Sequence, residues 1–229
     1  MPTVTDEEFG TITVRRSARA TQVRLRVAPD GSLRASMPVY APMFLLKRLI
    51  KSSRPQLRKM LEHSLPQTEY HDGQQIGKSH TLIVRSATRL AVGRSKQHIT
   101  VDLPPALTLQ SPEVVKKLRE VVISALRLEA KSYLPKRLQY LANQHGFVYD
   151  KVRFSHASSR WGSCSSSGTI SLNIALMKLP FELIDYVVIH ELAHTVEMNH
   201  SEAFWSLVAK GDSQYKQHRK LLTQESPSI

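Results

Sequence analysis

His190-Glu191-Leu192-Ala193-His194 decides how this chain is read. Two histidines four apart lie on one face of a helix, one turn along it, so both rings can meet one point. That arrangement suits a zinc ion, which takes neutral imidazole nitrogens in a tetrahedral shell. A glutamate beside the first histidine can take a proton from the water of such a site. A third histidine, His200, follows six residues after the second. Three protein ligands with one open position describe a catalytic zinc, whereas four close a structural one. The expected metal ligands are His190, His194 and His200, and Glu191 is the expected catalytic base.

The flanking sequence supports a helix. After Pro180, Leu183, Ile184, Val187 and Val188 recur at three- and four-residue spacing, which makes one apolar face. Proline fits the first turn, where a missing N–H costs least. Upstream, Ser111-Pro112-Glu113 opens a long helical pattern that runs to about His145 and ends at Gly146. Pro135 is expected to kink or divide it. Residues 148–154 and 168–172 read as strands, with a loop around Trp161-Gly162-Ser163 between them. Beyond the metal motif, one helix is expected from Ala203 to about Lys210 and another from about Ser213 to Thr223.

The amino-terminal part alternates polar and apolar residues at Thr11-Ile12-Thr13-Val14 and at residues 22–27. Pro29-Asp30-Gly31 is a turn signal before the strand-like residues 32–37. A small antiparallel sheet is the expected result. Helical spacing begins at Pro42, residues 67–75 are polar and loop-like, and strands are expected at 81–84, 89–92 and 98–101. No internal repeat or low-complexity tract is evident. The order predicts an α+β protein, with a β-rich amino-terminal domain over 1–105 and a helix–sheet–helix domain carrying the metal over 106–229.

Bulk properties narrow the class. The chain has 229 residues and is 41% hydrophobic, enough for a substantial core. It has no run of eighteen apolar residues, so no membrane partner is expected. The first ten residues carry Asp6, Glu7 and Glu8, the wrong charge for a signal peptide. Cys164 is the only cysteine, so no internal disulfide forms and a cytoplasmic location is the simplest expectation. The net charge is +13, and residues 1–100 hold 17 Lys+Arg against 7 Asp+Glu. That surplus raises non-specific nucleic-acid binding by the amino-terminal part, against the alternative of a solvated basic surface.

Three segments occur in one order with close spacing: Arg160-Trp161-Gly162-Ser163-Cys164-Ser165, Ile170-Ser171-Leu172-Asn173, and the histidine motif followed by Asn199-His200-Ser201 and Phe204-Trp205. Together they resemble the YgjP-like family of zinc metallopeptidases, relatives of SprT-type and minimal gluzincin-like proteases. The likeness is strongest over residues 151–222. It extends more weakly to Arg16-Ser17-Ala18-Arg19 and the hairpin around Asp30-Gly31. The resemblance implies a zincin-like core behind a small β-rich domain, with His190, His194 and His200 on zinc, Glu191 as base and a protein or peptide substrate. The chain departs from the family at Gly211-Asp212-Ser213, where a proline often precedes Tyr-Lys.

Rival readings are specific. Glu197 stands where the extended metzincin motif has glycine, and a carboxylate can be a third zinc ligand, although His200 is favoured. Phe204 and Trp205 are expected behind the site, and the Arg160–Ser165 segment as a wall of the cleft. Cys164 reads as a small buried residue and His156 as structural or an oxyanion donor. A zinc deaminase is excluded by the missing P-C-x-x-C, and no P-loop or dinucleotide-binding glycine pattern occurs. The competing functions are a nucleic-acid-associated module with a structural or vestigial zinc, and a SprT-like protease acting on DNA-bound proteins.

Overall fold

The computed structural model describes residues 2–27, 32–64 and 70–229. The Pro29-Asp30-Gly31 turn and residues 67–69 of the expected polar loop lie outside the described residues. The chain forms two compact units, Met1–Gln67 and Thr68–Ile229. Among the described residues no helix is long and apolar enough to cross a membrane.

The first unit holds strands β1 (Thr3–Asp6), β2 (Gly10–Ser17), β3 (Arg24–Val27) and β4 (Leu33–Pro38), then helices α1 (Met43–Ser52) and α2 (Arg54–Ser64). The sheet order is β1-β2-β4-β3. The expectation of an antiparallel sheet is corrected in one respect: β2 and β4 pair in parallel, between two antiparallel pairs. β3 pairs antiparallel with β4 on the outer edge, and β4 meets β2 running the same way. Ile12, Val14, Leu33, Ala35 and Met37 alternate onto one face and pack with Leu46, Ile50 and Leu57 of the helices. Asp6 closes the β1–β2 turn by accepting from the amides of Glu8 and Phe9, and its other oxygen accepts from Arg54 of α2.

The second unit opens with β5 (Gln75–Ile76), β6 (His80–Ser86), β7 (Ala91–Ser95) and β8 (His98–Leu103), ordered β5-β6-β8-β7. Its central pair, β6–β8, is again parallel, and a helix again follows. The two units thus share a repeated topology where the sequence showed no repeat. Its faint trace is Thr11-Ile12-Thr13-Val14-Arg15 against Thr81-Leu82-Ile83-Val84-Arg85. The β5–β8 sheet belongs to the same unit as His190, His194 and His200, so the division falls at Gln67/Thr68 and not near residue 105. The reason is a shared core: Leu82, Ile99 and Val101 are buried in one cluster with Val114, Leu118 and Leu126 of the next helix.

That helix, α3, spans Pro112–His145 without interruption, with Pro135 inside it and Gly146 ending it at φ 72°. Left-handed backbone at this position favours glycine. Then come β9 (Lys151–Ser155), β10 (Gly162–Cys164) and β11 (Thr169–Asn173), ordered β10-β11-β9, followed by a 3-10 turn over Ile174–Lys178. Helices α4 (Phe181–Ala193), α5 (Glu202–Gly211) and α6 (Tyr215–Leu222) complete the chain. The whole is a mixed α+β protein of several small sheets and helices.

Candidate metal centre

α4 is buried on nearly every side. Leu183, Ile184, Tyr186, Val187, Val188, Ile189, Leu192 and Ala193 are all in the core. It packs on α3, α5 and α6 and on strands β10 and β11. Arg137 of α3 holds it with a two-pronged ion pair to Asp185, at 2.7 and 2.6 Å. A partly buried, bidentate pair of this kind fixes orientation as well as position. On the other side, Asp212 receives His218 Nδ1 at 2.7 Å, and both rings of Tyr186 and His218 meet 6.4 Å apart. Asp212 also accepts from the Gln214 amide at 2.9 Å, which builds the turn that leads into α6.

The last turn of α4 carries His190 and Glu191, and His194 caps it. The chain then turns back over residues 195–199. Thr195 closes this turn by donating from Oγ1 to the Leu192 carbonyl at 2.8 Å, and the Glu197 amide donates to the Ala193 carbonyl at 2.9 Å. Among the described residues only Lys96 is a non-glycine with positive φ, so the turn needs no glycine at position 197. Ser201 caps α5 by accepting from the Phe204 amide at 3.3 Å. His200 is thereby brought back over α4.

The three histidines converge. One ring nitrogen from each of His190, His194 and His200 lies within 4.8 Å of the others. The Nε2 atoms of His190 and His200 face each other at 3.2 Å. A tetrahedral zinc at 2.0–2.1 Å from each nitrogen sets them roughly 3.3 Å apart, so the donor set fits the ion. His194 Nδ1 meets the Glu197 carbonyl at 3.1 Å, which leaves its Nε2 for the cluster. Glu197 contributes this carbonyl and its carboxylate is not part of the cluster. Among the described residues no fourth Cys, His, Asp or Glu joins the three.

Aromatic rings build the floor. Phe204 is fully buried, and its ring centre lies 4.9, 4.4 and 4.8 Å from those of His190, His194 and His200. Trp205 stacks on His200 at 5.7 Å and on Tyr215 at 5.5 Å, with the Arg219 guanidinium 4.7 Å from the indole. Burial pushes the His190 pKa down to about 3, helped by His194, His200 and Arg219. Burial also lowers that of His194, against the Glu197 carbonyl. Neutral imidazole is the form that binds a metal.

Glu191 lies on the side of α4 that meets β10 and is only 5% exposed. Its Oε2 is buried without a hydrogen-bond partner among the described residues. Burial raises its pKa to about 8, with Arg160 pulling the other way. Gly162 of β10 faces it directly: a Cβ there would come within 2.5 Å of Oε1 and 2.7 Å of Cδ. Asn173, at the end of β11, is fully buried and donates from Nδ2 to the carbonyls of Ala157 and Arg160 at 2.6 and 2.8 Å. Its Oδ1 accepts from the Ala175 amide at 3.0 Å. It thus fixes the loop that delivers β10 to Glu191. Gly162 and Asn173 stand in the segments that carry the family resemblance, but the sequence alone does not spell out their roles.

The remaining candidates lie outside the cluster. Cys164 ends β10, half-buried, and burial and the Glu191 charge raise its thiol pKa, which disfavours a thiolate. Trp161 packs against the core, and its carbonyl accepts from the Asn173 amide at 2.8 Å. His156 follows β9 and is not among the three converging histidines.

The family described as YgjP-like, metallopeptidase domain, matches residues 21–225. The chain belongs to this family of metallopeptidases, which implies a metal that the three histidines are able to bind. Among solved structures it is similar to the metallopeptidase zymogen of Pyrococcus abyssi abylysin. The match is 28% identical, covers 39% of this chain and 92% of that one, and has a TM-score of 0.36. No curated protein matches.

Proposed function

We propose that this chain is a zinc-dependent peptidase, with zinc held by His190, His194 and His200 and with Glu191 as general base. The observation that carries this reading is the convergence of three imidazoles beside a buried carboxylate that has an unpartnered oxygen. Zinc in such a site supplies Lewis-acid polarisation of the scissile carbonyl and makes water acidic enough to ionise near neutral pH. Glu191 Oε2 takes the proton of the attacking water and delivers it to the leaving amine. The carboxylate form needed for this is favoured once positive charge lies beside it. Strand β10 is at the edge of its sheet, so its outer backbone groups suit pairing with an extended peptide. A structural zinc would call for a fourth ligand, and the three-histidine set favours the open, catalytic arrangement.

The test combines metal analysis with hydrolysis of a quenched fluorescent peptide library. The expected result is about one zinc per chain, activity lost on chelation, and activity restored by zinc. His200→Ala should lower zinc content markedly while Glu197→Ala leaves it intact; the reverse pattern would reassign the third ligand. Glu191→Gln should keep its zinc and lose on the order of 10²–10⁴-fold in rate. Unchanged turnover by zinc-loaded Glu191→Gln would rule out this base.

A further inference from the structure

The outward face of the amino-terminal sheet carries a charge pattern that the metal centre does not use. Because Ile12, Val14, Leu33, Ala35 and Met37 face the core, strand alternation turns Thr13, Arg15, Arg34 and Ser36 the other way. Register adds Arg24 and Arg26 of β3 to the same face. Arg15, Ser36 and Arg24 are neighbours across β2, β4 and β3, and Thr13, Arg34 and Arg26 form the next row. Arg15, Arg24, Arg26 and Arg34 are all exposed. Arg15, Arg19, Arg24 and Arg26 line an open groove of about 490 Å³ with Ser17 and Ser36.

Among the described residues no acid lines this groove. The strand residues that point outward include no Asp or Glu. Asp6 and Glu8 are engaged with Arg54 and Arg58 of α2. Among the described residues Arg15, Arg19, Arg24 and Arg26 make no ion pair with an acid. Arg16 shows the contrast. It has the parity of Ile12 and Val14, and its guanidinium donates to the carbonyls of Val39 and Ala41, which is a structural use of arginine.

Arg24 and Arg26 are two residues apart on one strand, roughly 6.8 Å, comparable with successive phosphates of a nucleic-acid strand. Guanidinium groups grip phosphate oxygens in a two-pronged fashion. The outward strand residues are threonine, serine and arginine, with no aromatic ring on which unpaired bases could stack. We propose that this face binds the phosphodiester backbone of double-stranded nucleic acid without sequence preference.

Fluorescence anisotropy of the full zinc-loaded chain with labelled random duplexes of DNA and of RNA tests this. The expected result is binding to at least one duplex at about 50 mM salt, with log affinity falling at a slope of about −3 against log salt, as contact with three or four phosphates requires. Replacing Arg24 and Arg26 together by alanine should weaken binding at least tenfold and flatten the slope by nearly two. Lys47 and Lys51 are exposed on α1, which packs on the opposite, core-facing side of the sheet. Their joint replacement by alanine removes the same charge and should change affinity less than twofold. An equal loss in both double variants overturns the proposal in favour of net charge alone. Absence of binding to either duplex also overturns it. So does tighter binding to single strands, or binding only to phosphatidylserine vesicles, which would make the face a membrane surface.

Discussion

Gly162 shows how much of this site rests on a missing atom. Its Cα lies so close to Glu191 that a methyl group would overlap the carboxyl at 2.5–2.7 Å. The carboxyl is the movable end of its side chain, so in Gly162→Ala the glutamate swings aside and the strand stays in place. The three histidines are on α4 and beyond it, and none is among the atoms that such a methyl would meet. The expected phenotype is therefore a split. Zinc content stays at the wild-type level, while kcat/KM on a peptide falls on the order of 10²-fold, the usual cost of misplacing a reacting group by about 1 Å. Zinc analysis and kinetics on one preparation decide it. Full activity, or parallel loss of zinc and activity, would mean that Gly162 does not position Glu191.

At the level of elements, the weak point is the loop between β9 and β10, which Asn173 holds from below. The side chain satisfies two loop carbonyls and one amide from a fully buried position. Asn173→Leu keeps the number and branching of the side-chain heavy atoms and removes all three bonds. Each group left buried without a partner costs about 1–3 kcal/mol. Urea denaturation of the zinc-loaded protein should show a loss of at least ~2 kcal/mol, and a loss below ~0.5 kcal/mol, typical of a surface change, would show that the loop is held by other means. Asn173 also marks where sequence reading stops. α4 and its histidines were legible because helical spacing is local, and the same holds for β2, β4, β6 and β8, whose apolar residues alternate. In the sequence β10 has the look of a loop because Gly-Ser-Cys has no alternation, and its strand character comes from pairing with β11. The parallel pairs β2–β4 and β6–β8 were equally invisible, since which strand a neighbour meets depends on contacts distant in sequence. The convergence of His200 was legible as a spacing, but the Glu197 carbonyl that orients His194 was not.

At the scale of the molecule, the two units divide the chemistry as they divide the chain. The first has its own core, in which Ile12, Val14, Leu33, Met37, Leu46 and Ile50 are buried together, and it carries the basic face. The second buries the metal helix in a separate cluster that includes the β5–β8 sheet. Leu82, Ile99 and Val101 of that sheet are fully buried. Such side chains contribute about 1.5–3 kcal/mol each, a sum comparable with the whole stability of a typical domain, about 5–15 kcal/mol. Glu129 of α3 adds a polar tie to the same sheet. It accepts from the amides of Lys78 and Ser79 at 2.7 and 2.9 Å and pairs with His80 at 2.6 Å. A fragment of residues 68–229 should therefore fold cooperatively, bind zinc stoichiometrically and hydrolyse short peptides within about twofold of the full chain, a difference of less than 0.5 kcal/mol in barrier. It should no longer bind duplex nucleic acid. A fragment of residues 106–229 should fail to fold, because it exposes the face of α3 that Leu82, Ile99 and Val101 cover and leaves Glu129 without its partners. Circular dichroism melts, zinc content and peptide turnover of the two fragments give the answer. Cooperative melting with full zinc in the shorter fragment would move the boundary back towards residue 105.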